Sequence, residues 1–168
     1  MKDLDFSTCD LCDAHQADAS GALRVLPPLY RDFGGAPRFA GPIATIKCHE
    51  DNSRVREAVN EPGAGRVLVV DGGGSLRRAL VGGNVAAAAA KNGWAGIVVH
   101  GAVRDAAELA ACAVGIRALA LVPLATDKRG EGQRELPLQL HGLWLRPGEW
   151  LYADDDGMVV LDRAQRST

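Results

Sequence analysis

The sequence predicts an α/β fold, with a parallel sheet at its core and a β-meander in its C-terminal third. Two apolar, β-branched runs, residues 66–71 and 95–100, are separated by a helical segment with five consecutive alanines. Strand, helix and strand at this spacing require right-handed crossovers, which place the strands parallel and side by side. Beyond Gly130, short apolar runs alternate with turn residues, a pattern typical of hairpins.

The bulk composition indicates one globular domain. The chain has 168 residues, 47% hydrophobic and 24% charged, so we expect a single domain over residues 1–168 with an ordered core over about 7–162. A net charge of −2 without a dense Lys/Arg cluster argues against direct nucleic-acid binding. No apolar run approaches the roughly 18 residues that span a bilayer, and the first residues are not signal-like. We therefore expect a cytoplasmic protein without membrane contact.

The N-terminal elements follow from capping residues and breakers. Ser7 opens a predicted helix that ends near Ala14. Prolines and paired glycines predict that residues 18–41 are irregular. A strand is expected over 43–48, and residues 51–53 cap the helix that follows it.

The middle of the chain alternates buried strands with short helices. The strand at 66–71 ends in the glycine run 72–74, as a strand does when it meets a tight loop. The alanine-rich helix over 85–91 can pack closely on a sheet and leads to the strand at 95–100. A further helix is expected over 106–112, and an apolar run follows it over 116–123.

The C-terminal third predicts a β-meander. It contains four short apolar runs, at 136–140, 143–145, 150–153 and 158–161. Turn residues separate these runs, so we expect hairpins that build a second layer of the fold.

Two segments that are distant in the sequence are expected to share one edge of the sheet. A helix of about nine residues carries the chain back roughly 13 Å, and a strand of about six residues returns it roughly 20 Å. Their ends meet, which places Gly82, Gly83 and Asn84 beside Arg104 and Asp105. The glycine run 72–74 should emerge at the same edge, where open α/β sheets bind ligands.

These groups are complementary to a small carboxylate and a metal ion. Backbone N–H groups at the glycine-led helix start can hold a carboxylate, and the Arg104 guanidinium can bind one bidentately. Asp105 is a hard oxygen ligand suited to Mg²⁺, which polarises ketones and stabilises enolates. None of the four lysines is expected at this edge, which argues against a Schiff base. In a simpler interpretation, the glycines only form turns and Arg104 and Asp105 form an exposed ion pair.

Other motifs carry weaker signals. Cys9 and Cys12 lack a second Cys/His pair at ligand spacing, so reduced, half-buried thiols are expected rather than a zinc site. The four histidines form no clustered pattern, and His100 is interpreted as a structural residue at a strand end. The acidic run 154–156 predicts a hairpin turn. No nucleotide is expected, because the glycine run 72–74 lacks the lysine of a phosphate-binding loop.

Three segments together resemble the RraA-like family. They are VLVVDGGGS at 67–75, NGWAGIVVHGAVRD at 92–105 and YADDDG at 152–157, and the likeness extends from about Cys9 to Leu161. The resemblance implies a swivelling ββα-type domain and a homotrimer with active sites near subunit interfaces. The family includes 4-hydroxy-4-methyl-2-oxoglutarate aldolases, which also decarboxylate oxaloacetate, and proteins described as regulators of ribonuclease E.

The resemblance also implies roles for individual residues. Arg104 matches the substrate-binding arginine, and Asp105 matches the aspartate that binds Mg²⁺ or Mn²⁺. The intact pair favours an enzyme, since the ribonuclease-regulator archetype has no aspartate after this arginine. The segment that binds substrate through its backbone corresponds to Gly82, Gly83, Asn84 and Val85.

One position departs from the aldolase pattern. Aldolase members resemble Asp/Glu-x20-Arg-Asp, and at the position 21 residues before Arg104 this chain has Gly83. The acid that would orient a metal-bound water is therefore absent from its usual place. Glu108 and Asp154 are candidates to replace it.

These observations together predict a divalent-metal-dependent lyase with Arg104 and Asp105 as catalytic residues. It is expected to cleave 4-hydroxy-4-methyl-2-oxoglutarate or a related 2-oxo acid to pyruvate, and to decarboxylate oxaloacetate. The alternative is a non-catalytic trimeric regulator that binds and inhibits ribonuclease E. An enzyme acting on a different small acid is a third hypothesis, which Gly83 leaves open.

Overall fold

The protein is described by a computed structural model over residues 5–165, which contains four helices and twelve strands in this range. The helices are α1 Thr8–Ala14, α2 Ser53–Val59, α3 Gly83–Lys91 and α4 Ala106–Ala111. The strands are β1 Leu23–Val25, β2 Arg31–Asp32, β3 Phe39–Lys47, β4 Val67–Asp71, β5 Ala79–Val81, β6 Gly96–Val103, β7 Gly115–Leu121, β8 Gln133–Arg134, β9 Leu138–Leu140, β10 Leu143–Leu145, β11 Trp150–Asp154 and β12 Gly157–Leu161. None of these helices is long and apolar enough to cross a membrane.

One large mixed sheet organises the described residues. β3, β4, β6 and β7 run parallel in that order, with Ile43 opposite Val67, Val67 opposite Gly96, and Gly96 opposite Gly115. β11, β12 and β1 extend the sheet with antiparallel pairing beyond β3, and β2 lies antiparallel beside β7. The predicted α/β fold with a parallel core is confirmed.

The parallel strands bury both of their faces, because alternate residues enter two different apolar cores. On one face, Leu68 and Val70 pack with α2, α3 and α4. On the other face, Val67 and Val69 pack against side chains of the C-terminal strands, which include Leu138, Leu140, Leu145, Leu151, Met158 and Val160. The C-terminal strands thus cover this face as a second layer, although β11 and β12 are hydrogen-bonded into the same sheet as β3. The swivelling ββα type stays a prediction.

Two facing glycines accommodate a buried aromatic ring. Gly96 and Gly115 are paired across β6 and β7, and a Cβ atom on either of them would collide with the ring of Phe39. Phe39 is only 1% exposed, so its ring is enclosed by the surrounding core. This packing ties the beginning of β3 to the centre of the parallel sheet.

The N-terminal third is more regular than its breakers predict. Residues 18–41 include β1, β2 and the beginning of β3, so the prediction of an irregular segment is wrong at these places. Long-range pairing supplies the order, since β1 pairs with β12, β2 with β7, and β3 with β11. β5 is also absent from the sequence prediction, because three residues are too few to show a period.

Candidate active site

A short strand brings the glycine pair to the arginine–aspartate pair. β5 runs parallel to β6, with Val81 opposite Val103. The chain leaves both strands at the same level, and the Arg104 N–H donates to the Val81 carbonyl at 2.9 Å. The structure therefore places Gly82 beside Arg104, as the lengths of the helix and strand predict.

Asp105 is held against the beginning of α3. Its Oδ2 atom accepts the Gly83 N–H at 2.9 Å and lies 3.8 Å from Arg104 Nε. A Cβ atom on Gly82 would lie 2.7 Å from that oxygen, so the close approach requires glycine. Asp105 has a left-handed backbone, with φ 64°, at the N-cap of α4. Such conformations are uncommon outside glycine and persist only where the surrounding structure enforces them.

A cleft of about 150 Å³ lies between these segments. All six predicted residues, from Gly82 to Val85 together with Arg104 and Asp105, line it. Sequence reasoning missed five further lining residues, which are Asn52, Arg56, Ala79, Ala125 and Lys128. The expectation that no lysine lies at this edge is wrong, since Lys128 lines the cleft. The loop after β7 carries Lys128 back over the ends of β5 and β6.

The charges around the cleft favour an anion. Arg56, Arg104 and Lys128 contribute three cationic groups, and Asp105 is the one acidic residue among the lining residues. α3 adds the positive end of its dipole. The Gly83 N–H donates to Asp105, and the Ala86 N–H donates to the Gly82 carbonyl.

The next two backbone donors of α3 remain open. Among the described residues, the N–H groups of Asn84 and Val85 have no acceptor, as the first turn of a helix requires. They are available to hold a carboxylate, whereas the Gly83 N–H is already engaged by Asp105.

The two candidate acids lie in different surroundings. Glu108, in the first turn of α4, is so close to Gly83 that a Cβ atom on the glycine would collide with its Oε2 atom. Asp154 is 3% exposed and accepts hydrogen bonds from Thr8 N at 2.8 Å and Thr8 Oγ1 at 2.6 Å. Burial opposes its ionisation, but these hydrogen bonds outweigh burial and lower the pKa of Asp154. Asp154 anchors α1 to the β11–β12 turn. Neither acid is among the residues that line the cleft, but Glu108 contacts the lining residue Gly83, which leaves it as the candidate.

The glycine run after β4 does not reach this cleft, so that part of the prediction is wrong. Asp71 and Gly73 instead line a separate hollow, together with Lys47, His49 and other residues. Lys47 Nζ lies 3.7 Å from Asp71 Oδ2 there. The reason is that β6 continues beyond the level at which β4 ends: Asp71 lies opposite His100, and β6 runs on to Val103.

Two histidines cluster, contrary to expectation. Tyr30 Oη lies 3.0 Å from His100 Nδ1 and 3.1 Å from His141 Nε2, and the two imidazole centroids are 4.9 Å apart. Burial, and then the neighbouring His141, lower the pKa of His100, while burial raises the pKa of Tyr30. The cluster joins residues far apart in the sequence, which no local pattern could reveal. The interpretation of His100 as a structural residue is consistent with this network.

Asp105 offers one carboxylate to a divalent cation. Within residues 5–165, no group of three His, Cys, Asp or Glu side chains could enclose a metal. Mg²⁺ does not need such a cage, since it is commonly held by one or two carboxylates and keeps several waters. Asp105 Oδ1 accepts no hydrogen bond from the described residues, and the side chain is 36% exposed. The donor set therefore fits a partly hydrated hard cation and not a zinc site.

Comparisons with known proteins give concordant findings. The RraA-like family model, described as Aldolase/RraA, matches residues 8–160. A protein of Albidiferax ferrireducens, named as a candidate 4-hydroxy-4-methyl-2-oxoglutarate aldolase, is 64% identical over 163 residues, covering 92% of this chain and 94% of its own. A Burkholderia multivorans protein of the same name is 62% identical over 158 residues, which cover 94% of this chain and 96% of that protein. The structure of the RNA-processing inhibitor RraA from Thermus thermophilis is 44% identical with a TM-score of 0.92, covering 98% of both chains.

Proposed function

Because this chain belongs to the RraA-like family, we propose that it is a lyase that cleaves 4-hydroxy-4-methyl-2-oxoglutarate or a related 2-oxo acid to pyruvate. We propose that it also decarboxylates oxaloacetate. The observation that supports this function best is the cleft in which the beginning of α3, Arg104 and Asp105 converge. Such a constellation suits an anion whose charge increases at a carbonyl oxygen during the reaction.

Substrate binding follows from the cationic groups. In the proposal, the open N–H groups of Asn84 and Val85 hold the carboxylate next to the 2-oxo group, and Arg104 pairs with the same carboxylate. Lys128 and Arg56, which line the same cleft, are placed to neutralise a second carboxylate. Three cations are more than a monocarboxylate needs, so the cleft favours a dicarboxylic substrate.

Asp105 would hold the divalent cation, Mg²⁺ or Mn²⁺, through its carboxylate. When bound, the cation supplies Lewis acidity that polarises the 2-oxo group and stabilises the enolate left after the C–C bond breaks. The Gly83 N–H and the Arg104 guanidinium orient the carboxylate of Asp105 by contacts to its Oδ2 atom. The Gly82 backbone permits this approach because it carries no side chain.

The function is tested by pyruvate release from 4-hydroxy-4-methyl-2-oxoglutarate and from oxaloacetate, with added Mg²⁺ or Mn²⁺ and with EDTA. We expect EDTA and Asp105→Ala each to abolish cleavage, and Arg104→Met to raise KM and lower kcat/KM. Asp155→Asn, in an exposed turn, is the matched control and should be fully active. Activity that survives both EDTA and Asp105→Ala would refute the metal role.

A second candidate function is regulation of ribonuclease E by protein contacts. It is favoured by the 44% identity to a protein described as an RNA-processing inhibitor. A pull-down with purified ribonuclease E and an RNA-cleavage assay test this role directly. Binding with inhibition, together with no turnover of either 2-oxo acid, would favour the regulator over the enzyme.

We also propose a homotrimer in the cytoplasm. Leu121 and Leu124, in the chain segment that leads to the lining residue Ala125, are 43% and 53% exposed. Large apolar side chains left at the surface near a site favour an interface there. Light scattering coupled to size exclusion measures the mass, and a monomeric mass of 17.7 kDa would contradict the trimer.

A further inference from the structure

The contact between Glu108 and Gly83 connects α4 to the cleft. The Oε2 atom of Glu108 occupies the space that a side chain on residue 83 would fill, and Glu108 Cδ lies 2.8 Å from the ideal Cβ position. Gly83 has no left-handed φ, so its backbone would accept other residues if this space were free. Glu108 thus presents a carboxylate where residue 83 would project its own side chain.

The proposed cleavage needs a group that accepts and returns a proton, and Asp105 is poorly suited to it. Asp105 already accepts the Gly83 N–H, and its Oδ2 atom lies near Arg104. These contacts engage its Oδ2 atom and leave Oδ1 as the oxygen that can face a cation. Asp105 is also the carboxylate that would hold the cation.

Glu108 is free of such contacts. Over residues 5–165, neither a hydrogen bond nor an ion pair engages its carboxylate, and its side chain is exposed. It stands three residues after Asp105, so the first turn of α4 brings both carboxylates to the same helix end. Its Oε2 atom lies where a side chain on Gly83, a residue that lines the cleft, would project. A free carboxylate beside the cleft is the residue type that general base catalysis requires.

We propose that Glu108 is the catalytic residue that transfers the proton in the aldol cleavage, an inference that rests on the proposed function. The Glu108 carboxylate takes the proton of the 4-hydroxyl group, and the O–H electron pair forms the new C=O bond at C4. The C3–C4 bond breaks and its electrons form the pyruvate enolate. Glu108 then returns the proton to C3, which yields the second pyruvate and restores the carboxylate.

Substrate choice separates this role from a structural one. Decarboxylation of oxaloacetate has no hydroxyl proton to remove. Its C–C bond breaks with loss of CO₂, and the resulting enolate takes its proton from solvent. Glu108→Gln should therefore lower kcat for aldol cleavage by about 10²–10⁴-fold, with KM little changed, while decarboxylation stays within a few-fold of wild type. Asp10→Asn, which removes an exposed carboxylate from the first turn of α1, is the matched control and should leave both reactions unchanged.

The second test moves the carboxylate from Glu108 on α4 to position 83 on α3. Glu108→Ala removes the acid and vacates the space, and Gly83→Asp in that background returns an acid from α3. We expect the double variant to recover at least about tenfold of the cleavage lost in Glu108→Ala.

The outcomes distinguish the two proposals. Wild-type cleavage with an equally active Glu108→Gln, or equal losses on both substrates with no recovery in the double variant, would overturn the role of Glu108 alone. A wild-type protein that turns over neither substrate with Mg²⁺ or Mn²⁺ would overturn the proposed function, and the role of Glu108 with it.

Discussion

Asp51→Asn is expected to destabilise the wall of the cleft. Asp51 is fully buried, and its Oδ1 atom accepts hydrogen bonds from Ser53 N at 2.8 Å and Ser53 Oγ at 2.6 Å. Its Oδ2 atom accepts Arg129 N at 2.7 Å and Glu131 N at 3.3 Å. One carboxylate therefore joins the beginning of α2, which carries Asn52 and Arg56, to the loop that carries Lys128.

The magnitude follows from the pKa of this group. Burial would raise the pKa of Asp51, but the hydrogen bonds from Ser53, Arg129 and Glu131 outweigh burial and lower it from 3.8 to about 2. This difference corresponds to ~2 kcal/mol of stability carried by the ionised carboxylate. Because the folded-state pKa is depressed, the contribution is complete above the unfolded value of 3.8 and is lost as the pH falls through about 2.

Urea unfolding, followed by tryptophan fluorescence, measures the effect. At pH 7, Asp51→Asn should lower the free energy of unfolding by ~2 kcal/mol, and the difference should narrow between pH 4 and pH 3. Asp127→Asn is the control, since its side chain is 63% exposed and its ion pairs with Arg78 and Arg129 should contribute under ~1 kcal/mol. Equal losses in both variants, or a difference that does not change with pH, would refute the reasoning.

Three further predictions follow from the fold and the cleft. Gly115→Ala should lower Tm by several degrees, since its Cβ atom collides with the ring of Phe39 and overpacking costs about 1–3 kcal/mol; an unchanged melting curve would contradict this packing. Burial and His141 lower the folded-state pKa of His100, so protonation of His100 favours the unfolded chain. The wild-type protein should therefore lose more stability than His100→Gln as the pH falls through about 6.5. The Tm values of both proteins at pH 7.5 and pH 5.5 test this. Lys128→Met should raise KM for a dicarboxylic substrate roughly 10–100-fold, from the loss of one charged contact. Because no Schiff base is expected, treating the wild-type protein with substrate and borohydride should leave no adduct on Lys128 by mass spectrometry.

The parts of the fold that the sequence predicts are those with a strong local period. β4, β6 and α3 show it, because buried parallel strands are apolar throughout and α3 carries five alanines. The meeting of Gly82 with Arg104 also follows from element lengths alone.

The missed features are produced by distant pairing. β5 is only three residues long and becomes a strand because β6 offers it an open edge. Lys128 reaches the cleft through a loop whose course depends on the buried Asp51. The acidic run at 154–156 forms the predicted turn, but the partner of Asp154 is Thr8 at the other end of the chain. No local pattern encodes such contacts.

The crowding of Glu108 against Gly83 also constrains how the two positions can change together in evolution. Because a side chain at position 83 would have to displace the Glu108 carboxylate, an acid at position 83 is expected to make one at position 108 dispensable, and the reverse. Among relatives, these two positions are therefore expected to covary. A glycine at position 83 would then mark a chain whose acid has moved to the neighbouring helix, and not one that has lost its acid.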